Sequence, residues 1–138
     1  MKSLHTLLKV AQRKLDELAV ESTRVVEEVA ALNAREAAIR AREQAEIASA
    51  AQDPAYASML PAYRLRVKWQ IDEVRVQVQA KEKTLEEIRQ RLSEAYIEKS
   101  KFEQLIEQAR IRETADRNAR EQAQLDEVAI NRAGGQGK

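Results

Sequence analysis

From Ser3 onward, apolar residues return at alternating steps of four and three: Leu4, Leu8, Ala11, Leu15, Leu18, then Val25, Val29, Leu32 and Ile39. That spacing is the seam of a coiled coil, sustained for about five heptads. Ser22 sits at a seam position, and Glu36 and Glu43 interrupt the seam later. Ser3 is the expected N-cap. The stretch "SAAQDPAYASMLPAYR" (49–64) breaks the pattern. Asp53-Pro54 signals a turn or a helix start, and Pro61 would remove a backbone donor from any continuous helix. The seam resumes at Leu60 and continues through Val67, Ile71, Val74, Val78, Leu85, Ile88, Leu92, Ala95, Phe102, Ile106 and Ala109. Lys81 and Lys99 hold seam positions and are expected to turn their charges outward. After Ala109 the same register yields Glu113, Asp116 and Arg120, so the seam has ended.

These periods predict an all-α fold: a single coiled-coil hairpin over 1–138, made of two long antiparallel helices. Helix 1 covers about 3–51, a turn about 52–60, helix 2 about 61–132, and a flexible tail 133–138. With the turn near residue 56, residue i of the first helix faces roughly residue 112 minus i of the second. Leu4 then lies opposite about residue 108, where the second stripe fades. The second helix therefore outruns the first by about 25 residues. This C-terminal helical overhang can stay helical by propensity and by i,i+4 pairs such as Glu113–Arg117. An isolated helix of that length is only marginal in water, and plain fraying explains it equally well.

A second stripe lies on the same helix. Leu65, Trp69, Val76 and Ala80 point about 160–200° away from Val67, Ile71 and Val74, with Asp72 interrupting them. One seam can cover only one of these faces. Either Tyr56, Met59 and Tyr63 fold back over part of the second face, or it is a docking patch holding the only tryptophan.

Composition sharpens the fold and narrows the function. Charged residues make up 34% and aromatics 4%, with three glycines and two prolines, so burial must come from a narrow aliphatic seam. Lys and Arg number 24 against 23 Asp and Glu, with the signs interspersed, which argues against a nucleic-acid partner. Arg64, Arg66, Lys68, Arg75, Lys81 and Lys83 form only a mildly basic stretch. No apolar run approaches the roughly 18 residues that cross a bilayer, and no leader is recognisable, so direct membrane insertion is not expected and a cytoplasmic location is. Without cysteine there is no thiolate chemistry or disulfide framework.

Catalysis finds no constellation. His5 is the only histidine, at a helix start, and the abundant carboxylates pair at helical spacing with Lys and Arg. No enzyme, metal or cofactor is expected. "GGQ" at 134–136 matches a tripeptide of peptide-release factors, and "GGQGK" distantly resembles a phosphate loop. The first has no domain around it; the second lacks the spacing, the Ser/Thr and the following helix.

The opening "SLHTLLKVAQRKLDELAVE", the short Pro-containing turn, the longer return helix and the terminal "EQAQLDEVAINR" together resemble the flagellar export-apparatus FliJ family, across essentially the whole chain. That family is similar to the stalk proteins of other type III secretion systems. The resemblance implies an antiparallel two-helix coiled coil, similar to the central stalk of rotary ATPases. It also implies a protein-transport role in flagellum biogenesis and motility. The implied partners are a hexameric export ATPase, the cytoplasmic region of the membrane export gate, and export chaperones. Leu125, Asp126 and Glu127 carry the "DE"-plus-apolar motif and are implied at the end inserted in the ATPase ring. Leu65, Trp69 and Val76 match by position type only, as the patch offered to the gate or a chaperone; no matching aromatic motif accompanies them. The implied location is the cytoplasmic face of the flagellar export apparatus. The alternative is a homo-oligomeric scaffolding coiled coil, because self-associating rods share this composition.

Overall fold

The computed structural model describes residues 2–136. Three helices follow one another: α1 over Lys2–Ala50, the short α2 over Pro54–Ala57, and α3 over Leu60–Gln136. The fold is all-α, two long helices packed against each other as a hairpin, and no strand occurs among the described residues. The residues divide into two compact units: Leu15–Glu94, and Met1–Lys14 with Ala95–Lys138.

In the unit Leu15–Glu94 the seam is buried as its spacing predicts. Leu18, Val25, Val67, Ile71, Val74, Leu85 and Ile88 are buried, and Leu15, Val29, Leu32, Ile39, Val78 and Leu92 are half-buried. Its centre is a cluster of Val25, Leu85 and Ile88 with Leu92 packed against it. Two ion pairs cross between the helices: Lys81 Nζ lies 2.5 Å from Glu28 Oε2, and Arg75 Nε donates to Glu36 Oε1 at 2.7 Å. Both pairs put residue i of α1 opposite roughly residue 110 minus i of α3, about two positions from the register expected from the turn. Two of the polar residues in the seam, Glu36 and Lys81, are thereby accounted for. Glu36 stays half-buried because Arg75 meets it and Arg40, one turn on, stands 4.0 Å away. Lys81 does not simply reach outward; it spans the seam to a carboxylate.

The turn is more ordered than a loop. Asp53, in an extended conformation, caps α2 by accepting from the Ala55 backbone N–H at 3.0 Å, and Pro54 supplies a first position whose missing N–H costs nothing. Ser58 Oγ donates to the Ala55 carbonyl at 2.9 Å, and Met59 N–H to the Tyr56 carbonyl at 3.1 Å. Pro61 falls in the first turn of α3, where backbone donors have no partner within the helix anyway.

In the unit of Met1–Lys14 and Ala95–Lys138, Ala11 and Ala95 are buried while Leu4, Leu8, Phe102, Ile106 and Ala109 are half-buried. Two boundaries differ from the sequence reading. Because α1 begins at Lys2, Ser3 lies inside the first turn and does not cap it. At the other end α3 runs through 133–136, which glycine content assigns to a tail. Neither Gly134 nor Gly135 adopts positive φ, so both continue the helix without the left-handed turn that often ends one. Residues 137–138 of that expected tail lie outside the described residues.

Candidate partner-binding surfaces

The first surface is the terminal part of α3. Every residue from Arg110 to Gly135 is exposed, although all are helical. Leu125 is 65% exposed and Ile130 70%, with Val128 also exposed, on a helix that covers none of them. Asp126 Oδ1 accepts from Gln122 Nε2 at 3.2 Å, so one turn of the Leu125–Asp126–Glu127 motif is tied together locally. The Glu113–Arg117 pair expected from spacing is not among the ion pairs of the described residues. The pair that does form is Arg110 with Glu107, one turn earlier: Arg110 Nη2 to Glu107 Oε1 at 2.6 Å and Nε to Oε2 at 3.0 Å. This two-pronged hydrogen bond holds the Glu107 carboxyl below its ordinary range and raises the Arg110 guanidinium further. It sits where half-buried residues give way to a wholly solvated helix.

The second surface belongs to the unit Leu15–Glu94. Leu65, Trp69 and Val76 are exposed, Trp69 by 61%, and Ala80 continues them. They occupy the side of α3 opposite Val67, Ile71 and Val74, as the helical period requires. Tyr56, Met59 and Tyr63 do not fold over this stripe. They line a cleft of about 590 Å³ in the same unit, together with the seam-side residues Ile39, Leu60 and Val67.

That cleft is what sequence reasoning missed. Arg42, Glu46 and Arg66 also line it, and Ala50 forms buried floor at the end of α1. A trace of it existed in the sequence: Arg64, Arg66 and Lys68 follow the turn with no carboxylate between residues 54 and 71. Of the mildly basic stretch, Arg75 and Lys81 are engaged by Glu36 and Glu28, whereas no ion pair among the described residues uses Arg64, Arg66 or Lys68.

Elsewhere the charges behave as a solvated helical face. Glu28 is held below its ordinary value by its hydrogen bond to Lys81, with the nearby positive charges of Lys81 and Arg24 adding to the effect. His5 is exposed, and no group of three His, Cys, Asp or Glu among the described residues could hold a metal. No helix among the described residues is long and apolar enough to cross a membrane. No curated protein and no solved structure matches the chain. One family does: the family described as Flagellar FliJ protein, over residues 1–138.

Proposed function

The chain belongs to the flagellar FliJ family, and from that premise we propose that the solvated end of α3 is held by a hexameric export ATPase, while the stripe of Leu65, Trp69 and Val76 meets the export gate or an export chaperone. Members of the family are components of the flagellar export apparatus, and the chain is a non-catalytic stalk protein of it.

One observation carries the ATPase reading: Arg110 to Gly135 is continuous helix with no side chain withdrawn from water. A helix of about 25 residues that buries nothing gains little from its own unit, since helical stability in proteins comes mainly from packing. A ring that closes around it would supply that packing. Its mixed charges suit successive contacts with different ring subunits, because complementary charges steer and orient an encounter without demanding one fixed geometry. Leu125, Val128 and Ile130 supply apolar contact, and Asp126 and Glu127 the charges beside it. The stalk needs no cofactor for this work, and its place is peripheral, at the cytoplasmic face of the apparatus.

The stripe supports the second contact. A tryptophan with most of its surface in water, flanked by Leu65 and Val76, is the kind of residue that anchors a protein interface. The experiment is a truncation that removes residues 110–138. The shortened chain is expected to lose stimulation of the export ATPase while its hairpin melts nearly as before. Normal stimulation by the shortened chain would reduce this segment to a solvated terminus.

A further inference from the structure

The cleft beside the turn of the unit Leu15–Glu94 is not used by either surface above. One of its walls, α2, gains nothing evident from building it. Helix α2 buries none of its residues, yet Asp53, Pro54 and Ser58 fix its geometry through caps and short hydrogen bonds. That geometry sets Tyr56 and Met59, 53% and 68% exposed, on the cleft beside Tyr63. Arg42 and Arg66 join the same lining against a single carboxylate, Glu46, and neither guanidinium takes part in an ion pair among the described residues. The cleft is thus apolar and adaptable along one side, with two uncommitted bidentate cation donors.

We propose that this cleft docks an acidic amphipathic helix of a partner protein. Two or three bulky apolar side chains of that helix sit among Tyr56, Met59 and Tyr63, and its carboxylates pair with Arg42 and Arg66. Charge selects the sign of the ligand: the lining sets Arg42 and Arg66 against Glu46, and its α2 and α3 side, residues 54–71, carries no acid. Backbone chemistry selects its conformation. The cleft is walled by helices whose peptide groups are already bonded, so an extended strand finds no edge to pair with, whereas a helix satisfies its own backbone. The α1 side of the lining, from Ile39 to Ala50, rises about 16 Å, which matches about three turns of a docked helix. Trp69 does not line the cleft, so this docking is independent of the gate or chaperone contact proposed above.

The test uses the full chain and three probes. The first is a fluorescein-labelled peptide of about 12 residues with leucines on one helical face and glutamates on the other. The second carries lysines in place of the glutamates, and the third is a phosphatidylglycerol vesicle. The glutamate peptide is expected to bind, and the lysine peptide to bind at least about tenfold more weakly. Arg66→Glu and Arg42→Glu should each weaken binding of the glutamate peptide about tenfold, and Arg66→Gln by less. Met59→Ser should weaken both peptides, whereas Trp69→Ala should leave binding unchanged. Because the altered side chains are exposed, each variant should keep the parent's helical content and melting curve. The proposal is overturned if neither peptide binds, if both bind equally, or if the arginine variants bind as the parent does. Displacement of the glutamate peptide by the vesicles would also overturn it, by showing that a lipid surface takes the site.

Discussion

Ile88 and Trp69 lie on the same helix and differ by one principle, so substituting each by alanine tests the seam directly. Ile88 is 1% exposed and packs in the cluster of Val25, Leu85 and Leu92. Truncating a fully buried isoleucine removes its transfer energy and leaves a cavity, at a cost of about 2–5 kcal/mol. A narrow seam has few neighbours with which to refill the space, because the helices meet along one stripe. The expected loss is therefore about 3–4 kcal/mol. At roughly 3–5 °C per kcal/mol for a chain of this length, the melting temperature should fall by about 10–20 °C. Trp69 leaves most of its surface in water and is absent from the buried cluster. Its replacement should move the transition by no more than about 3 °C, in the range of surface substitutions. Circular dichroism melts of the two variants at matched concentration provide the assay. Equal drops would place Trp69 in a core, and a negligible drop for Ile88→Ala would mean that this seam does not hold the hairpin together.

Two further outcomes follow from the same contacts. Glu28 has a lowered pKa in the folded state, so its pairing with Lys81 contributes stability that is full above its ordinary value of 4.5 and fades as pH falls below it. Glu28→Gln should therefore melt earlier than the parent at neutral pH, and the gap should close in acid; a gap that persists at low pH would rule out the ion pair as its source. For the scaffold alternative, sedimentation velocity over a wide concentration range decides. A stalk stays monomeric in isolation, whereas a self-associating scaffold forms a dimer that Trp69→Ala weakens.

The long elements were legible because one physical rule produced them. A seam that alternates steps of three and four must face a partner helix, and each position from Leu4 to Ala109 that carries it is withdrawn from water wholly or in part. The end of the seam was equally legible, since Glu113, Asp116 and Arg120 replace its apolar positions and α3 there is wholly exposed. Angular position placed Trp69 on the side of α3 away from the seam, but its exposure did not follow from that alone, because Tyr56, Met59 and Tyr63 could have covered the same face. What the periodicity did not carry was the turn. Asp53 and Pro54 announce a helix start, but four residues are too few to show a period, so the placement of Tyr56 and Met59 depends on caps and side-chain hydrogen bonds. The cleft combines residues from three helices, and no local pattern reports that meeting. Pairings such as Lys81 with Glu28 were hidden for a related reason: several acids lie within reach of each lysine, and only the register selects one.

A photoreactive side chain at position 125, introduced into the full chain and irradiated with the assembled export ATPase during turnover, shows whether the ring holds the solvated end of α3. A covalent adduct between position 125 and the ATPase is expected, obtained with the intact ring and lost when the ring is dissociated. Adducts that form only between copies of the stalk, or none with the ATPase at all, would mean that the ring does not hold this end.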